Sequence, residues 1–403
     1  MAVPYATADV AEITAIPNAR ARASTRTPWL RNALWDGFWM QSALWLAPIA
    51  LWLAWGHSDA RASPLDLLYF GVTALFWIGH RFSSTYLAYC TEAYRPLLRK
   101  QPVRFIVLPL LITATCFAIF LPADDALPWS RQERVIHVAI VDYAFVTWHF
   151  AAQHFGALSI YRSRAGRSAC RWTRRLDRGF SLVIGGLLVL AADMLAGAVA
   201  YQEHWIDRGY FPALLVSDQE NIRFVATILL LTMTSTMLVF EMRATQRSLP
   251  RMLYVAGLAV MVGIALTPRS LFPFLVIWTS QHWILAVGLT SQTASTERAP
   301  QHGLVRGALH ALTVRPWALV LFLAVVSIVL LPVFEVEANS DGGDMFYGDR
   351  MFGAIAASLR TSTWVPALVA LGFASGFIHY FLDRSVFRFS NPDVRAAAGG
   401  LLR

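Results

Sequence analysis

The chain is poor in charge. Asp, Glu, Lys and Arg make up 15% of its 403 residues, against about a quarter in ordinary soluble domains. With 56% of its residues hydrophobic, it has too little polar surface to cover a water-soluble body, and its natural solvent is a bilayer. Lysine is nearly missing: Lys100 is the only one among 34 basic residues. The cysteines Cys90, Cys116 and Cys170 are far apart and form no CxxC pair, which argues against a disulfide framework and a thiolate metal site. Residues 1–30 lack the short apolar core of a cleavable signal peptide and read as a mobile cytoplasmic arm. A formal charge of +9 would suggest nucleic acid in a soluble protein. Here the arginines stand between apolar runs, so they read as a topology signal and an attraction for anionic lipid headgroups, with no nucleic-acid partner expected.

The expected fold is all-α, a polytopic transmembrane helical domain over 31–390 followed by a cytoplasmic tail over 391–403. A helix needs about 20 mostly apolar residues to cross a bilayer. Runs of this kind lie near 38–55, 66–90, 103–122, 135–161, 180–201, 223–241, 252–266, 270–292, 315–335 and 363–384. The seventh is short and joins the eighth through Thr267-Pro268-Arg269-Ser270, leaving open whether the two are one broken helix. About ten spans with both termini inside place most of the basic residues on the cytoplasmic side, as the positive-inside rule requires. The acidic connectors, such as Asp124-Asp125 and Glu335 to Asp349, then fall outside. Residues 349–361 are the best prospect for an interfacial helix, and Asn391-Pro392-Asp393 reads as a capped turn that can dock beneath the bundle. The expected location is a bacterial inner membrane.

Ionisable residues at membrane depth are expensive and face the bundle interior, so each is a functional suspect. Five histidines qualify: His80, His149, His154, His282 and His379. They fall on the second, fourth, eighth and tenth spans, which all run in one direction, and each sits past the midpoint of its helix. Hydropathy does not force that coincidence, whereas a metal centre in a helical bundle requires it. Asp142, His149 and Gln153 share one helix stripe by their intervals of seven and four. His154 lies about 140° round the helix from His149, so the two cannot both point squarely inward without adjustment. Asp383, four residues after His379, shares its face and is a further ligand or an outer partner. Ser84, one turn from His80, is placed to orient that ring. Asp193, alone in the fifth span, is either a sixth member or an isolated polar contact. The bland reading of any single membrane histidine is an interhelical hydrogen bond.

Imidazole with carboxylate suits iron first, with copper or zinc as alternatives. The expected function is a metal-dependent oxidoreductase or oxygenase acting on a lipid-soluble substrate, with an electron donor on the cytoplasmic side. Its ligands are His80, His149, His154, His282, His379 and Asp383; Asp142, Gln153 and Ser84 support them. The HxxxH and HxxHH boxes of membrane desaturases and hydroxylases, the His-His pair of haem-copper oxidases and the DDxxD boxes of prenyltransferases are all missing. Single histidines on separate spans, with His154-Phe155-Gly156, are loosely similar to the membrane carotene-cleaving dioxygenases, a match of three residues that does not amount to membership. Two other functions fit the same residues: a b-type haem electron-transfer protein, with paired histidines clamping haem, and a transporter with a histidine-lined pathway.

Overall fold

The computed structural model describes residues 27–55, 63–124, 126–167, 170–187, 219–267, 271–296, 303–340, 346–398 and 401. All regular structure among them is helical. In chain order the helices are α1 Ala33–Trp39, α2 Ser42–Ala54, α3 Pro64–Val72, α4 Ile78–Cys90, α5 Arg95–Lys100, α6 Leu108–Phe120, α7 Arg131–Arg164 and α8 Arg171–Leu182. Then follow α9 Gln219–Arg243, α10 Leu249–Ala265, α11 Leu271–Ala294, α12 Leu304–Thr313, α13 Pro316–Ala338, α14 Tyr347–Phe352, α15 Ala354–Thr361, α16 Val365–Val386 and α17 Pro392–Ala397. π turns lead into α4 (Thr73–Trp77) and α6 (Val103–Val107), and a third follows α8 (Val183–Leu187).

Among the described residues, six helices are long and apolar enough to cross a membrane: Val103–Phe120, Arg131–Arg164, Glu220–Arg243, Phe272–Ala294, Pro316–Ala338 and Val365–Val386. The pair α1 and α2, bent by 51° at its break, makes a seventh if it is one span. Three of the ten expected runs differ from a plain span. The continuous helical stretch from Pro64 to Cys90 is long enough but carries Asp66, His80 and Arg81, which dilute its apolar character. α10 is shorter, at 17 residues. Most of 180–201, with Asp193, lies outside the described residues, as do residues 1–26 of the expected N-terminal arm and 202–218. α10 and α11 are separate helices, since α10 is capped at Leu266 before α11 begins.

Burial separates centre from periphery. In α11, 83% of the apolar window is buried inside the protein, against 22% in Val103–Phe120. α11 packs on α2, α4, α10 and α13, while α16 lies against α4, α6, α7 and α13. The outer helices turn large apolar side chains outward: Leu321, Val325 and Val329, four residues apart along α13, are all exposed, as are Leu110 and Leu111 of α6. Apolar stripes of this kind are what a helix presents to lipid rather than to water.

The arginine-rich connectors are less solvent-facing than their sequence implies. Arg251 of α10 is 1% exposed and donates to Asp177 of α8 at 2.7 Å and Glu241 of α9 at 2.8 Å. Arg162 of α7 also pairs with Asp177, and Arg167 with Glu241 at 2.8 Å. Three guanidinium groups and two carboxylates thus tie four helix ends together. Each charge is tolerable in the interior because an opposite charge and directed hydrogen bonds meet it. The tail docks as expected: Asn391 caps α17, Asp393 pairs with Lys100 at 2.9 Å, and Arg164 donates to the Leu401 carbonyl at 3.3 Å. Where an interfacial helix was expected, the chain forms the pair α14 and α15, broken at Gly353, whose φ of +49° suits glycine.

Candidate metal centre

Four helices bring one imidazole each to a common point: His80 from α4, His149 from α7, His282 from α11 and His379 from α16. All four side chains are buried. Their ring centroids form a closed quadrilateral of edge-to-face contacts, 5.0 Å for His80–His282, 4.6 Å for His80–His379, and 4.8 Å for both His149–His282 and His149–His379. His80, His282 and His379 form a group that could hold a metal ion, with one ligating nitrogen from each lying within 4.8 Å of the others. The Nε2 atoms of His149 and His379 are 3.2 Å apart. Two imidazole nitrogens bound to one ion in tetrahedral geometry lie about 3.3 Å apart for metal–nitrogen bonds of 2.0–2.1 Å. That last pair is therefore already at ligand spacing.

Local backbone structure sets each ring. The π turn at Thr73–Trp77 widens the helix before α4. The Ile78 amide N–H at its end donates to Ser327 Oγ of α13 at 3.1 Å, and the Trp77 carbonyl accepts from His80 Nδ1. Such turns recur at functional sites because they re-aim a side chain without ending the helix. Gly79 lets α13 close in, for a Cβ there would sit 2.6 Å from the Leu323 carbonyl oxygen. On α7, Gln153 reaches α11: its amide nitrogen donates to the His282 carbonyl at 3.4 Å and its Oε1 accepts from His282 Nδ1. The double contact fixes which way the amide points, so the proton is on Nδ1 and the His282 Nε2 lone pair is free.

The same logic runs round the site. His379 Nδ1 lies 3.2 Å from Ser84 Oγ. Asp383 Oδ2 is 3.9 Å from His149 Nδ1. His80 and His282 thus each set Nδ1 on an oxygen acceptor, while His379 Nδ1 meets a hydroxyl and His149 Nδ1 stands 3.9 Å from a carboxylate. This is the outer arrangement that metal-binding histidines use to fix tautomer and ring orientation. Apolar rings close the surroundings: Phe150 stacks on His282 at 3.8 Å and on Trp278 at 3.9 Å, and Trp283 stacks on His80 at 6.0 Å.

Several expected partners stand elsewhere. Ser84 bonds to His379 rather than to His80, because the helix turn carries its hydroxyl towards α16. Asp383 faces His149 rather than the histidine of its own helix. Asp142 leaves the His149 stripe for the side of Tyr380, both of them next to Gly376 and close to the buried Arg81–Glu337 pair, 3.2 Å apart. It reaches the site only through Tyr380, whose ring is 5.0 Å from that of His149. His154 takes no place in the quadrilateral; its Nδ1 is 2.8 Å from the Tyr254 hydroxyl of α10. The angular offset from His149 along α7 is the reason. Sequence reasoning missed the Trp77 carbonyl, since a backbone acceptor carries no signal in residue identity. In comparisons with protein-family models, curated proteins and solved structures, nothing matches this chain.

Proposed function

We propose that this protein is a membrane-embedded, histidine-ligated metalloprotein acting as an oxidoreductase or oxygenase on a lipid-soluble substrate. The observation that carries the reading is the convergence of four buried imidazoles from four helices in edge contact, three of them (His80, His282 and His379) grouped closely enough to share an ion. His80, His149, His282 and His379 would hold the ion; Gln153, Ser84, Asp383 and the Trp77 carbonyl orient them. An all-imidazole set with a carboxylate behind it suits iron first, then copper or zinc. A redox metal would supply electron transfer and oxygen chemistry at a site that Phe150, Trp278 and Trp283 keep dry. The location supports a lipid-soluble substrate, because a centre enclosed by spanning helices is reached most directly from the acyl-chain region.

The wider reading is a bundle of about ten spans with both termini cytoplasmic, set in a bacterial inner membrane and served by an electron donor at its cytoplasmic face. The packing of the rings weighs against haem. A macrocycle has to pass between its two axial imidazoles, and rings in edge contact leave no gap for it. Elemental analysis of the purified protein, with an absorption spectrum on the same sample, tests the proposal. One bound transition metal per chain and no Soret band is the expected result. Metal-free protein, or unchanged metal content in His80→Ala, His149→Ala, His282→Ala and His379→Ala alike, would end it.

A further inference from the structure

Where the first turn of the span Val103–Phe120 meets the last turn of Val365–Val386, arginines gather that no acid answers. Arg104 Nε donates to Ser385 Oγ at 2.9 Å, and its guanidinium lies 5.8 Å from the centre of the Phe381 ring. Arg384, beside that serine, holds its guanidinium 4.5 Å over the Trp148 ring of α7. Arg388 follows one turn later, just past the cap of α16 at Phe387, and its Nε donates to Ser390 Oγ at 3.4 Å. Three cations from two helix ends thus surround one serine.

Arg162 and Arg251, by contrast, are met by the carboxylate of Asp177. Among the described residues, none of Arg104, Arg384 and Arg388 makes an ion pair. Asp383, next to Arg384 in sequence, turns inward to His149, and Asp393 is taken by Lys100. Like charges one turn apart repel. A guanidinium has five N–H donors, and one hydroxyl or a ring face leaves most of them open. Stacking on an aromatic ring also keeps the N–H edge available to phosphate oxygens. The surroundings are apolar. Val103, Ile106 and Val107 are exposed beside Arg104, and Phe377 and Phe381 precede Arg384 on one stripe of α16, at intervals of four and three residues. Phe377 meets Phe145 of α7 with ring centroids 5.7 Å apart. Cations at the helix ends with hydrocarbon beyond them match the order of charge and chain along a phospholipid.

We infer that Arg104, Arg384 and Arg388 form a discrete site for one anionic glycerophospholipid. Its phosphate takes charge-assisted hydrogen bonds from the three guanidinium groups, and its acyl chains run along Phe377, Phe381 and the exposed apolar face of α6. A soluble acidic protein fits this place less well, because Arg104 and Arg384 belong to the spans themselves and stand where lipid headgroups lie. Net charge selects the lipid: a zwitterionic headgroup brings its own ammonium and leaves the three arginines uncompensated. Trp148 and Arg384 adjoin His149 and Asp383 in sequence, so the lipid rests outside the wall whose inner side forms the histidine centre. The site is a property of the bundle, metal or no metal.

Native mass spectrometry of the full chain, released from detergent micelles with added phosphatidylglycerol or phosphatidylcholine, tests this. Phosphatidylglycerol is expected to stay bound and phosphatidylcholine to leave. Arg104→Gln, Arg384→Gln and Arg388→Gln combined should weaken phosphatidylglycerol binding by roughly ten-fold or more. Glutamine at Arg171, Arg174 and Arg175, three exposed arginines of α8, removes the same charge and should leave binding unchanged. Arg388→Gln alone, beyond the end of α16 and so without effect on the spans, should weaken it by about five-fold. Equal retention of the two lipids overturns the site, as does equal loss from the two triple variants, since binding would then follow overall charge. Glycerol 3-phosphate, which has no chains, should not compete; if it displaces the lipid at equal concentration, the ligand is a soluble phosphate and the lipid assignment fails. Metal content is measured on the same samples, and the lipid result stands at zero metal.

Discussion

The dipeptide Gln-His occurs at 153–154 on α7 and at 281–282 on α11, and the two copies have opposite fates. His282 gives its Nδ1 proton to the side chain of Gln153, so its Nε2 is a bare lone pair at the centre of four imidazoles. His154 meets the Tyr254 hydroxyl of α10 at 2.8 Å instead, and its Nε2 is buried without a hydrogen-bond partner among the described residues. An amide orients the one ring and a phenol the other, and the ring set by the amide is the one in edge contact with His80 and His149.

The sharpest way to break this comparison is to remove the rings. His282→Ala should lose metal outright, with affinity down by more than about a hundred-fold, the upper end of what even a lost outer partner does; His154→Ala should keep full stoichiometry. Elemental analysis of the two variants decides. If both lose metal, the comparison fails. Next come the glutamines. Gln153→Leu should weaken metal binding by about 10–100-fold in chelator competition, while Gln281→Leu leaves it unchanged.

Tyr254→Phe sharpens the contrast without touching the centre. Metal content should hold, and stability should fall by about 1–2 kcal/mol, because the buried His154 nitrogen loses its partner. Denaturant unfolding in mixed micelles reads this. The smallest effect lies at the far end of α7. There the Asp124 carboxyl accepts from the Arg131 backbone N–H at 2.7 Å and from Arg134 at 3.0 Å. Those contacts, the backbone hydrogen bond first, hold it below the ordinary carboxylate range. A depressed folded-state value means that the contribution is complete above the ordinary range and fades as pH falls through the lowered one. Titration of the Asp124 side-chain carbon signal should show the shift, and Arg134→Gln should reduce it.

Much of this was legible in residue order. The absence of charge, the length of the apolar runs and the histidines buried within them pointed to a helical bundle with an internal polar centre. Helix spacing set His154 off from His149, yet both were counted as ligands, and the structure gives His154 to Tyr254 instead. Spacing misled where a partner lay across an interface. Asp142, Ser84 and Asp383 all share faces with histidines of their own helices, yet each turns to a residue on a neighbouring one. The arginines of the connectors were read by number, and Arg162 and Arg251 proved to be buried ties between helix ends.

Sequence by itself determined the solvent, because the ratio of apolar to charged residues is a property of the whole chain and needs no partner. It also determined which helices carry imidazole, because 3.6 residues per turn fixes a stripe before anything packs against it. Only the tertiary structure decided which nitrogen of each ring is free. That depends on a hydrogen bond from another helix, and neither spacing nor hydropathy records which helix that is.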